Sequence, residues 1–214
     1  MNRHSVNKMQ EKQGDERAAS RHQQILDAAV KAFAEKGFYK TRVSEIARHA
    51  GVADGTIYLY FKSKDDILIS LFEERMEDNL RDLAQALEPY ESPVEKLKAF
   101  FRLYLSMVER DPLLAEVLTV ELRQSGKFMR DYENPAFRKL LKFIAGILEQ
   151  GQRSGDFRQG IDSRIFSRAV FGALDEITLW VVLSQRKISL DQAAETLGSI
   201  WLNGLRAPED LQAQ

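Results

Sequence analysis

No cysteine occurs anywhere in the 214 residues. That excludes a disulfide framework, a thiolate zinc site and a cysteine nucleophile. Histidine is nearly as scarce: His4, His22 and His49 stand far apart, outside any metal-ligand spacing. There is no Gly-x-Ser-x-Gly segment and no phosphate-binding Walker loop, so neither catalytic nor metal residues are assigned and the chain reads as a non-enzyme without a cofactor. Long apolar runs are missing too. The longest, over 179–183, is far too short to span a bilayer, and the polar stretch 1–21 is no signal peptide. A cytoplasmic protein without membrane contact is expected. No segment alternates with period two over a useful length, which leaves an all-α fold.

What is present is unevenly distributed. The net charge is −1, yet residues 1–65 carry 12 Lys/Arg against 8 Asp/Glu, and the remainder carries 19 against 24. A basic first third on an acidic body points to a polyanionic partner for the first third only.

The stretch 1–19 is polar, lacks periodic apolar positions and reads as a flexible arm. From Ser20 an apolar stripe of Leu26, Val30 and Phe33 marks a first helix, ended by Gly37. Thr41 is expected to cap a second short helix bearing Val43, Ile46, Ala47 and Ala50. Gly51 makes the turn into a third, over about 54–60, that buries Ala53, Ile57 and Phe61. Three short helices with a tight turn form a helix-turn-helix unit over 20–66. Ser63 caps a long fourth helix with a stripe from Ile67 to Leu87, and Ser92-Pro93 opens a fifth. Asp111-Pro112 starts a sixth, running to about Gln124. A seventh, kinked near Asn134-Pro135, runs to Arg153. Asp162 and Ser189 cap an eighth and a ninth. The body therefore spans 67–207, followed by a tail over 208–214.

These motifs carry a resemblance. TRVSEIA over 41–47, then GVADGTIYLYFK over 51–62 and Lys64, resemble the DNA-binding domain of TetR-family bacterial repressors. The same reading-head segment with DILISLF over 66–72, ELRQS over 121–125 and FGALDE over 171–176 resembles the FadR-like members, acyl-CoA-responsive repressors of fatty-acid degradation. The resemblance implies a nine-helix fold, dimerisation through the last two helices and a ligand tunnel in the body. It implies a repressor released from a palindromic double-stranded operator by a long-chain acyl-CoA. Many family members carry lysine where this chain has Asp54; a carboxylate there is repelled by phosphate and is expected to cap the third helix.

Candidate sites follow. With Ile57 and Phe61 turned inward, Tyr58 and Leu59 face base edges, where thymine methyls are the expected contact. Thr41, Ser44, Thr56, Tyr60, Lys64 and the Gly55 amide can donate to phosphate oxygens, with Arg42 and Lys62 beside them. For the effector, the candidates are Phe100, Tyr104, Met107, Leu118, Leu122, Phe137, Leu141 and Phe171. Arg123 and Gln124 are the polar contacts, and Arg75, Lys127 and Arg130 are weaker cations. Helices eight and nine are apolar on more than one face, and a helix-turn-helix reader needs a twofold partner to reach successive major grooves. A homodimer interface of Phe166, Val170, Ile177, Trp180, Leu197, Trp201 and Leu205 is expected. Two other readings share the DNA-side features: a repressor sensing a different hydrophobic molecule, and an architectural DNA-bound factor without effector.

Overall fold

The computed structural model describes residues 3–130, 134–184 and 189–206, and among them holds ten α-helices and no strand. The expected tail over 208–214 lies outside the described residues. The first unit comprises α1 (Arg3–Lys36), α2 (Val43–His49) and α3 (Asp54–Ile57). α1 begins at Arg3, which corrects the expected arm over 1–19. The Gln, Glu, Lys, Arg and Ala residues there are good helix formers, and they extend a helix already nucleated by its packed C-terminal half. Gly37 (φ +78) ends α1 and Gly51 (φ +62) makes the turn after α2, both in the left-handed region that glycine tolerates.

Two cap assignments are corrected. Thr41 is buried, and its hydroxyl donates backward to the carbonyls of Ala32 (2.9 Å) and Gly37 (2.8 Å). Arg42 caps α2 instead, its amide donating to the Glu45 carboxylate at 2.9 Å. Ala53, exposed rather than buried, is the cap residue of α3, and Asp54 is the first helical residue. A carboxylate there complements the helix dipole. Ile25, Leu26, Ala29, Phe33, Ile46, Ala47, Ala50, Ile57 and Phe61 form the core of the unit.

α4 (Lys64–Leu87) is capped by Ser63, whose hydroxyl accepts from the Asp66 amide at 3.1 Å. Its first half, Ile67, Leu68, Leu71 and Phe72, belongs to the same core as α1–α3. Leu83 and Leu87 belong to a second core built from the body. α4 therefore has one end in each core.

The body continues with α5 (Pro93–Arg110), capped by Ser92, and α6 (Pro112–Glu116), capped by Asp111. The expected sixth helix does run on to Gln124, but it changes winding. A π-helical turn over Val117–Glu121 is followed by a 3-10 turn over Leu122–Gln124. Such π turns recur at functional sites. The expected seventh helix is two. α7 (Gly126–Arg130) is separate from α8 (Pro135–Ser154), which Asn134 caps by accepting from the Ala136 amide at 2.8 Å. α9 (Ser163–Leu183) and α10 (Leu190–Leu205) take the expected caps, Asp162 and Ser189. α9 packs on α8, and α10 on α5.

The phase of these last helices corrects the dimer candidates. Phe166, Val170, Leu197 and Leu205 are buried within the chain's own core. Ile177 and Trp201 are half-buried, Trp201 lying edge-on to Phe166 at 5.4 Å. Only Trp180, 55% exposed, faces outward. Its exposed apolar companions are Ile165, Leu183 and Ile200, which the sequence reading left out of the interface.

Candidate functional site

The helix-turn-helix presents Tyr58 (60% exposed) and Leu59 (81%) at its outer tip. They project because Ile57 and Phe61, one residue to either side of the short tip, are anchored in the core. Gly55 is exposed with open space around its Cα, Ser44, Arg42 and Lys62 are exposed, and Thr56 is half-buried. Tyr60 is half-buried beside His22, ring centroids 6.3 Å apart. Arg17 and Arg21 of α1 share a concave surface with Tyr60, adding two cations beside the reading head that the sequence reading left in the arm or unassigned.

Two proposed phosphate donors are engaged elsewhere. The Thr41 hydroxyl is buried and donated inward, as above. The Lys64 ammonium donates to three carbonyls of the loop between α1 and α2: Phe38 (2.5 Å), Thr41 (3.0 Å) and Tyr39 (3.1 Å). It also lies 4.5 Å from the centroid of the Phe38 ring. Burial pushes its pKa down, with Asp65 pulling the other way. Lys64 thus clamps the loop. The body holds the same loop from its other side. Buried Glu121, at the end of the π turn, accepts from the Phe38 amide at 2.5 Å, and the Tyr39 hydroxyl donates to the Gln124 carbonyl at 2.8 Å. Ser125 adds a bond to Asp65 at 2.7 Å.

That π turn also walls a cavity of about 410 Å³ in the body. α4 contributes Phe72, Arg75, Met76, Leu80 and Leu83; α5 contributes Tyr104, Met107 and Val108; the α6 run contributes Leu114, Leu118 and Thr119; α9 contributes Phe171, Asp175 and Thr178. A mostly apolar wall with a few convergent polar groups is the usual make-up of a small-molecule site. Burial raises the Tyr104 phenol, and Asp175 pushes it further in the same direction. Burial likewise raises the Asp175 carboxyl, against the lowering effect of Arg123. Asp78, Asp82 and Asp111 also line the cavity, so its rim is not uniformly basic, and Arg75 and Arg110 are its cations.

Of the expected ligand residues, Tyr104, Met107, Leu118 and Phe171 line this cavity. Phe100, Leu122, Phe137 and Leu141 are core residues outside its wall. Arg123 is not in the wall either: its guanidinium binds the Thr119 carbonyl and the Asp175 carboxylate, stapling the α6 run to α9. Gln124 serves the loop contact with Tyr39. Lys127 is exposed and away from the cavity, and the Arg130 side chain lies outside the described residues. Arg75, expected as a weaker cation, does line the cavity, whereas Phe72, Met76, Leu80 and Leu83, which fall in the apolar stripe of the fourth helix, are the largest omission from the expected wall.

Two family models match adjoining stretches of the chain. Residues 25–71 match the bacterial regulatory proteins of the tetR family, and residues 72–204 match the YsiA-like protein, C-terminal region. The chain belongs to the TetR family. This TetR-family regulator binds DNA through its helix-turn-helix, and no described helix is long and apolar enough to cross a membrane. It is 41% identical over 167 residues to the fatty acid metabolism regulator protein of Bacillus subtilis (strain 168), across 78% of this chain and 86% of that one. Its fold matches the crystal structure of the regulator FadR from Bacillus subtilis in complex with stearoyl-CoA. There the TM-score is 0.79 at 39% identity, over 86% of this chain and 99% of that one. It also matches the fatty acid degradation regulator FadR from Bacillus halodurans, with TM-score 0.81 and 37% identity over 87% and 96% of the two chains.

Proposed function

We propose that this protein is a cytoplasmic, non-enzymatic, homodimeric repressor of fatty-acid degradation genes that leaves its palindromic operator when a long-chain acyl-CoA enters the body. One observation carries the effector reading. The apolar cavity is walled by α4, which starts beneath the reading head, and by the α6 run, whose Glu121 and Gln124 hold the loop between α1 and α2. A chain that occupies the cavity therefore presses on the two elements that position the DNA-binding unit. The stearoyl-CoA bound by the Bacillus subtilis relative supports the ligand class. The dimer reading rests on the exposed Ile165, Trp180, Leu183 and Ile200 of α9 and α10, and on the need of such a reader for two half-sites. At the reading head, Ser44, Thr56, Tyr60 and the Gly55 amide supply phosphate contacts, with Arg42 and Lys62 beside them, while Tyr58 and Leu59 meet the bases.

The test is a gel shift on duplexes selected by the protein from a random pool, with acyl-CoAs of graded length. Each buried methylene contributes about 0.8 kcal/mol, so affinity should rise roughly fourfold per methylene until the cavity is filled. Release of DNA by roughly 5- to 150-fold requires only about 1–3 kcal/mol of coupling. Palmitoyl-CoA should release DNA and free CoA should not. No release at any chain length would refute the effector reading.

A further inference from the structure

Arg75 differs from every other polar group of the cavity. It lines the cavity from α4, and its Nε is, among the described residues, the one buried side-chain nitrogen or oxygen without a hydrogen-bond partner. Its Nη2 binds the carboxylate of Asp27 on α1, in the DNA-binding unit. On a planar guanidinium, Nε–H and one Nη2–H point from the same edge and together form the fork that takes an oxyanion side-on. Nε is thus buried and unpartnered on a residue of the cavity wall, and Nη2 is held by the DNA-binding unit.

We propose that Arg75 is the oxyanion receptor of the effector site, and that an oxyanion seated on its Nε–Nη2 fork takes Nη2 from Asp27, loosening α1 from α4. This deepens the effector reading above and rests on it. The hand-over supplies the differential contact that allostery requires: the Asp27 pair exists only without ligand, the ligand pair only with it. Lysine cannot replace the fork, because an ammonium is a point charge that satisfies Asp27 without offering two parallel donors. A neighbouring link between the same helices, His22 Nε2 to Glu74 at 2.5 Å, lies outside the cavity wall and serves as the control.

The experiment measures binding of palmitoyl-CoA and of palmitate by calorimetry, and operator affinity by fluorescence anisotropy with and without palmitoyl-CoA. The proteins are wild type, Arg75→Lys, Arg75→Gln, Asp27→Asn and Glu74→Gln. Arg75→Lys should bind palmitoyl-CoA roughly ten- to a hundredfold more weakly, the effect of losing a charge-assisted pair. Arg75→Gln should do the same for the ligand. Asp27→Asn, lacking the competitor, should bind palmitoyl-CoA more tightly and show a smaller operator response. Glu74→Gln should leave ligand affinity within about twofold, as surface substitutions do. A loss confined to palmitoyl-CoA assigns the oxyanion to the CoA phosphates; an equal loss with palmitate places the contact at the end of the acyl chain, where palmitoyl-CoA carries only a neutral thioester oxygen, and overturns the oxyanion assignment. If wild type binds neither probe, the effector reading itself falls. If wild type binds and responds but Arg75→Lys does so equally, or Asp27→Asn changes neither quantity, the effector reading survives and the hand-over is overturned.

Discussion

Lys64→Ala is expected to lower the melting temperature by roughly 5–10 °C and to weaken binding to every duplex alike, without changing how binding depends on salt. The ammonium bridges three loop carbonyls, at 2.5, 3.0 and 3.1 Å, and the Phe38 ring. Hydrogen bonds to a charged donor contribute about 1.5–3 kcal/mol, and a cation over a ring about 0.5–1. Loss of the clamp should therefore cost about 2–3 kcal/mol, because the stranded carbonyls regain water as the loop loosens. Binding weakens because the same loop leads into α2 and sets where Ser44 and Arg42 sit. The salt slope is the discriminating quantity. A lost phosphate contact would reduce it by about 0.9, whereas a lost internal clamp leaves it unchanged. Tyr58→Ala is the opposite case. Its side chain is exposed, so stability should stay within about 0.5 kcal/mol while discrimination between operator variants weakens roughly tenfold. Thermal melts and anisotropy titrations at several salt concentrations separate the two, and a slope lowered by about one in Lys64→Ala would restore the phosphate role.

Trp180→Glu is expected to give a folded monomer that binds its operator about 10²- to 10⁴-fold more weakly, the gain that linking two reading heads provides. Trp180 is more than half exposed, with Ile165, Leu183 and Ile200 the other large exposed apolar side chains among the described residues of α9 and α10, so the substitution removes only part of one side chain's internal packing. Placing a carboxylate in a twofold interface sets two like charges against each other across an apolar surface. Phe166→Glu would be uninformative, since Phe166 is buried in the chain's own core. Sedimentation equilibrium reads the mass, and circular dichroism checks that helicity is intact. A dimer of full operator affinity would place the interface elsewhere.

Features that depend on neighbouring residues were legible from the chain. Gly37 and Gly51 at the turns, and Ser63, Ser92, Asp111, Asp162 and Ser189 at helix starts, all stand where local chemistry puts them. So does the outward phase of Tyr58 and Leu59, fixed by Ile57 and Phe61. Features that depend on remote partners were not. Thr41 satisfies the rule for a cap, yet carbonyls of α1 and Gly37 claim its hydroxyl. Lys64 and Arg123 read as free cations because nothing local shows which carbonyls or carboxylates meet them. Helices apolar on more than one face carry no phase that separates core from interface, so Phe166 and Val170 were exchanged for Ile165 and its neighbours. The π turn over Val117–Glu121 has no periodic signature at all, although it joins cavity to loop.

The central claim is that one small molecule changes the separation of two reading heads. A chain without cysteine allows one label per protomer, placed by Lys40→Cys at an exposed site beside the helix-turn-helix. Spin-label distance measurements on the labelled dimer should give a single distribution on operator DNA, consistent with half-sites roughly 34–36 Å apart. Adding palmitoyl-CoA should release the DNA and move that distribution by more than about 2 Å. An unchanged distribution accompanied by full release of DNA would contradict the account.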